Sequence, residues 1–167
     1  MNVSVRKIFF SLPKWLRIIL LVLIMGFVLF CITDLIFPVN TKVEYSQQIL
    51  ADDSTLLHAF LTSDDKWRIE ISPDDVNPLF IKTLILKEDR WFRWHPGVNP
   101  VAVARALWQN IISGETVSGA STITMQVVRL LEPRRRTYFN KFIEMFRALQ
   151  LEFHLSKKEI LSLYINL

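Results

Sequence analysis

NPLFIKTLILKEDRWFRWHPG, residues 77–97, is the stretch in which the pattern of this chain turns helical. Asn77 belongs to the residue types that cap helices, and Pro78 suits the first helical position, where an N–H has no partner to lose. Apolar residues follow at 80, 81, 84 and 85 and again at 91 and 92, the spacing of one helical face. Glu88 falls on or near the last turn, and Glu88, Phe92 and His95 share a face if the helix persists to the Pro96-Gly97 turn. A carboxylate held against Trp91 and Phe92 would be partly desolvated, which suits it to proton transfer near neutral pH. The plainer alternative is a solvated helix end with Trp91 and Phe92 in the core.

Upstream the pattern is different. Residues 43–71 read as short extended pieces, KVEYSQQIL, LLHAFL and WRIEI, separated by the turn-forming clusters ADDST and TSDDK, and predict a small β meander. Before them, residues 18–33, IILLVLIMGFVLFCIT, carry no charge. Roughly 20 apolar residues cross a bilayer as a helix, and residues 18–37 supply them, with Asp34 near the outer interface. The first 17 residues hold Arg6, Lys7, Lys14 and Arg17 and no acid, which places a basic tail in the cytoplasm and sends the remainder across. A cleaved signal peptide is the rival reading, but no small-residue cleavage pattern follows the apolar run. Cys31, the single cysteine, lies within it, so no intrachain disulfide is expected.

The composition agrees with a membrane segment: 51% hydrophobic residues and a mean hydropathy of +0.28 exceed what a soluble domain needs. Four of the 20 Lys and Arg residues lie in the basic tail, leaving 16 against 16 Asp and Glu. The exported part is formally neutral, and nucleic-acid binding loses its main support.

Downstream, residues 118–131, SGASTITMQVVRLL, place Gly119 and Ala120 where backbone can approach a ligand. Ser121 or Thr122 is positioned to cap the helix that follows, a natural anion site. Gln126 and Arg129 would extend a polar face inward. In residues 134–155, Phe139, Phe142, Phe146, Leu149 and Phe153 form a helical apolar stripe read as core. Lys141, Glu144, Ala148 and Glu152 recur on another face, bringing a cation and two carboxylates into line; the bland reading is an exposed ion pair. The excess of Arg and Lys around 129–147 suits a phosphate group or an acidic membrane surface. Ser156 and Glu159 make a capping box for a last amphipathic helix.

Taken in order, these motifs resemble the family 51 glycosyltransferase domain of class A penicillin-binding proteins. EDRWFRWHPG, from Glu88, matches the family's E-D-x-x-F-x-x-H-x-G. GASTITMQ, from Gly119, matches G-G-S-T-x-x-Q-Q with Ala120 and Met125 as departures. NKFIE, from Asn140, matches R-K-x-x-E with Asn140 in place of arginine, and KKEILSLYIN, from Lys157, matches the fourth motif.

The resemblance implies a mainly α chain. An N-terminal transmembrane helix and a short β region over 38–71 would lead into a lysozyme-like transglycosylase lobe over 72–167, expected to be incomplete because the sequence ends at Leu167 within the fourth motif. It implies polymerisation of lipid II into β-1,4-linked glycan strands during cell wall biogenesis, with release of undecaprenyl diphosphate. Glu88 would be the general base and Glu144 a second acid that assists departure of the diphosphate, directly or through Mg²⁺ or Mn²⁺. Lys141 would bind that diphosphate, and Ser121, Thr122, Gln126, His95 and Arg129 would complete the substrate-binding set. Asp89 would fix local structure. Implied partners are lipid II, the nascent strand, membrane lipid and other cell wall synthesis proteins. The implied location is the bacterial inner membrane, with the C-terminal part periplasmic. A catalytically inactive membrane protein and a lysozyme-like hydrolase are the competing readings. SDDK, from Ser63, formally fits a penicillin-reactive S-x-x-K, but it falls in an expected turn with no S-D-N or K-T-G after it, so no penicillin binding is expected.

Overall fold

The computed structural model describes residues 13–114 and 119–167. Most of the basic tail, including Arg6 and Lys7, and Ser118 lie outside the described residues. The chain divides into two units, Met1–Val39 and Asn40–Leu167.

The described part of the first unit holds one helix, α1 (Lys14–Ile36), long and apolar enough to cross a bilayer by length and composition. Its 23 residues span about 34 Å at helical rise. The one hydroxyl in its last turns is satisfied internally: Thr33 Oγ1 donates to Leu29 O and Phe30 O at 2.9 and 2.8 Å, so it costs little in an apolar setting.

The second unit opens with a hairpin. Strands β1 (Gln48–Leu50) and β2 (Leu56–Ala59) pair antiparallel with Ile49 opposite His58, and the register shifts at Leu50. The third piece of the expected meander, WRIEI, does not become a strand. Its Arg68 N–H goes to the Ser46 hydroxyl instead of a carbonyl, while Ser46 N–H donates to Arg68 O, so a side chain replaces one rung of the ladder. The SDDK turn is pinned by its own charges, Arg68 gripping both Asp64 oxygens at 2.6 and 2.7 Å, and the Ser63 hydroxyl donates to Glu44.

Five helices follow: α2 (Pro78–Glu88), α3 (Pro100–Ser113), α4 (Ile123–Leu131), α5 (Tyr138–His154) and α6 (Lys157–Asn166). Each begins at a side-chain cap, Asn77, Asn99, Thr122, Thr137 and Ser156 in turn, and Ser156 with Glu159 forms the full capping box. The mainly α expectation is met. α4 is the central element: Ile123, Met125, Val127 and Val128 are buried, packed with Ala148 and Leu151 of α5 and Ile160 of α6. Asn166 ties this core back to the hairpin region. Its amide accepts from Ile71 N–H and donates to Ile71 O, both at 2.9 Å.

Two helical expectations are corrected. α2 stops at Glu88, and Asp89 leaves helical geometry at φ −157° because its carboxylate turns inward to His95 and to Ile123 N–H. Glu88, Phe92 and His95 therefore do not share a helical face: Phe92 and His95 are buried in a run of turns, and Glu88 is exposed. On α5 the faces are exchanged. Phe139, Phe142 and Phe153 are 71, 64 and 57% exposed, whereas Glu144, Ala148, Gln150 and Leu151 are buried. The reason is the polar content of α4 and the segment before it: Ser121, Thr124 and Arg129 need hydrogen-bonding partners, and the Lys141/Glu144/Glu152 face supplies them.

Candidate active site

The turn segment 89–97 is bolted to the start of α4. Both Asp89 oxygens lie 3.0 Å from His95 Nε2, and Asp89 Oδ2 accepts from Ile123 N–H at 3.1 Å. Thr122 Oγ1, which caps α4, donates to Gly97 O at 2.5 Å. Gly97 is required there: its φ is +88°, and a Cβ would meet Ala148 O at 2.6 Å. His95 and Thr122, both expected to meet substrate, are buried: Thr122 Oγ1 is occupied by Gly97 O and Met125 N–H, and His95 Nε2 by the Asp89 carboxylate, while His95 Nδ1 has no hydrogen-bond partner among the described residues. Asp89 plays the structural part expected of it.

Glu88 stands free of this bolt. Gln126 Nε2 donates to Glu88 Oε2 at 3.1 Å, and Tyr164 O–H donates to Gln126 Oε1 at 3.1 Å. The aromatic wall expected around Glu88 is reduced to Trp91, which lines the same cleft while more than half exposed, because Phe92 turns into the core. Glu88 instead lines an open cleft of about 340 Å³ with Asn99, Arg105 and residues 119–122.

A second cleft, of about 720 Å³, shares Gly119, Ala120 and Ser121 with the first. Here Arg129 holds Glu144 through Nε and a terminal nitrogen, at 2.9 and 3.1 Å, and Lys141 Nζ reaches the same carboxylate at 3.1 Å. Lys141 also donates to Ser121 Oγ at 2.5 Å, and Arg129 reaches that hydroxyl at 3.3 Å. Burial works to raise the Glu144 carboxyl, but the hydrogen bonds from Arg129 and Lys141 outweigh it and hold the group below its ordinary range. Lys141 is pushed down by burial, which its bond to Glu144 offsets only in part. Arg129 is held more firmly protonated by Glu144.

With Arg135 and Arg136 also on its wall, the cleft sets four cations against one carboxylate, and it is partly shielded from water. Such a site favours an anion carrying more than one charge. It does not make a metal cage: among the described residues no three His, Cys, Asp or Glu side chains converge, and both Glu144 oxygens already face cations.

The structure therefore brings Ser121, Arg129, Lys141 and Glu144 together, and Glu88 with Gln126; Thr122, though buried, reaches the wall of the Glu88 cleft, while His95 sits behind it. Met125 is fully buried core. Asn140 donates to Arg135 O at 2.8 Å, tying down the basic loop. Arg105 and Tyr164 were missed. Tyr164 lies within KKEILSLYIN, and nothing in the sequence singles out Arg105.

The transglycosylase family model matches residues 53–167. Penicillin-binding protein 1C of Escherichia coli (strain K12) is 50% identical over 125 residues, 75% of this chain and 16% of that protein. Penicillin-binding protein 1B of Haemophilus influenzae is 44% identical over 111 residues, covering 66% of this chain and 14% of the relative. Penicillin-binding protein 1A of E. coli is 37% identical over 129 residues, covering 76% and 15%. The chain spans about one sixth of the length of these relatives.

Proposed function

We propose, from the premise that this chain belongs to the transglycosylase family, that it is a peptidoglycan glycosyltransferase acting on lipid II. The observation that carries the proposal is the cationic cluster of Lys141 and Arg129 around Ser121 and Glu144, which shares the 119–121 segment with the cleft holding Glu88.

In this reaction the 4-hydroxyl of the acceptor N-acetylglucosamine attacks C1 of the N-acetylmuramic acid at the reducing end of the growing strand. Glu88, exposed and oriented by Gln126, takes the hydroxyl proton. The bond from C1 to the diphosphate breaks, giving an inverted β-1,4 linkage and undecaprenyl diphosphate. Charge develops on the departing diphosphate, and Lys141 and Arg129 stand where preorganised cations stabilise it. Glu144 keeps these two side chains aimed at Ser121 and does not need to donate a proton, since it is held ionised. Mg²⁺ or Mn²⁺, if bound, would add positive charge near the departing diphosphate, and among the described residues Glu144 is the carboxylate of this cleft that could help hold it.

We place α1 in the bacterial inner membrane with the basic N-terminus cytoplasmic and the second unit on the periplasmic side, where lipid II and the glycan strand are its partners. Labelled lipid II incubated with the full chain in detergent tests the reading. Polymer from wild type and none from Glu88→Gln is expected. Equal output from both would remove Glu88 from the chemistry, and cleavage of finished glycan strands would favour the hydrolase.

A further inference from the structure

We infer that Tyr164 is a positioning residue for Glu88, acting through Gln126; the inference rests on the reading of Glu88 as the base. Glu88 ends α2 as an exposed carboxylate on a flexible stem, and Gln126 is the hydrogen-bond donor recorded to it among the described residues. A glutamine amide is nearly isosteric end for end, so its placement alone does not decide whether it offers a donor or an acceptor. A carboxylate only accepts, so it is Nε2 that faces Glu88, and the Tyr164 phenol, donating to the remaining Oε1, holds the amide in that orientation; three helices, α6, α4 and α2, are joined by two bonds of 3.1 Å.

Two properties make the phenol a dependable donor. Tyr164 is half-buried on the wall of a cavity of about 380 Å³ with Phe80, Leu84 and Leu130, which limits its ring to few rotamers. Burial, and beyond it the charge of Glu88, push its ionisation above the ordinary phenol range, so it keeps its proton wherever a carboxylate base works. Tyr164 touches no reacting atom in this scheme. It anchors the far end of the Gln126 amide that the base meets, and so restricts the rotamers from which Glu88 receives a proton.

The test uses the full chain in detergent with Tyr164→Phe, which removes one oxygen and keeps the ring. The kcat for lipid II polymerisation is expected to fall about fivefold to twentyfold, with KM within about twofold of wild type. In a Gln126→Ala background the same substitution should cost nothing further, since its route of action is gone. A readout independent of turnover is the Gln126 side-chain amide signal in ¹⁵N-labelled protein, which should shift or broaden in Tyr164→Phe. Unchanged kcat and an unmoved amide signal, alongside an inactive Glu88→Gln, would overturn this inference alone. Equal losses from Tyr164→Phe with and without Gln126 would also overturn it. A fully active Glu88→Gln would instead overturn the assignment of the base, whatever the amide signal does.

Discussion

Arg129 and Glu144 meet in a two-pronged ion pair, Nε to Oε1 at 2.9 Å and a terminal nitrogen to Oε2 at 3.1 Å, with Lys141 completing the grip. Planar guanidinium and carboxylate match each other in this arrangement, so the pair is directional as well as charged. Its acid dependence can be worked out. The folded carboxyl is held below its ordinary 4.5, so its contribution to stability is complete above that value and is lost as pH falls through the folded pKa. The melting-temperature difference between wild type and Glu144→Gln should be constant from about pH 7 to pH 5 and shrink below about pH 4.5. A gap that stays constant to pH 3 would mean the pair adds nothing.

Exposure of Glu88 separates its chemistry from its structural worth. Glu88→Gln should lower the transfer rate by about 100-fold or more while moving the melting temperature by less than about 2 °C. A large loss of stability in this variant would show a structural role that the exposed position does not provide.

Asp89, its immediate neighbour, should behave in the opposite way. Asp89→Asn leaves His95 and Ile123 N–H with a weaker acceptor in a buried setting, at a cost of about 1–3 kcal/mol. Thermal unfolding should show that loss, and activity should fall with the folded fraction.

Gly97→Ala should destabilise by about 2–4 kcal/mol, since both the positive φ and the approach of Ala148 O forbid the methyl. Gly119→Ala is the control, because nothing lies within 4 Å of its added Cβ. Urea midpoints of the two variants give the comparison.

The exchange of faces on α5 makes a further contrast. Leu151→Ala should cost about 2–4 kcal/mol as a core truncation, whereas Phe142→Gln should stay within about 0.5 kcal/mol. Comparable losses would restore the phenylalanine stripe to the core.

These contrasts show which parts of the fold were legible. Asn77 and Ser156 could be read as caps, and Thr122 as one of two candidates beside Ser121, because a cap bonds to backbone two or three residues away, and that geometry is written in local order. Glu144 and Lys141 were found by spacing, since both belong to one helix. What periodicity could not reveal was which face of α5 turns inward, because the deciding partners, Ser121, Thr124 and Arg129, come from another part of the chain. The course of the chain beyond Glu88 was lost for the same reason: Asp89 leaves the helix to reach Ile123, 34 residues away in sequence. Tyr164 was quoted within a motif without a role, and only its contact with Gln126 gives it one.

The twin bonds between Asn166 and Ile71 join residues 95 positions apart. On a ribosome adding about 5–20 residues per second, Ile71 waits on the order of 5–20 s for its partner to be made. The hairpin region can form its local turns in microseconds, yet it has no fixed seat on the helical core during that interval. Docking of the two must follow synthesis of the last helix, so Asn166→Ala should slow late folding more than it affects early helix formation.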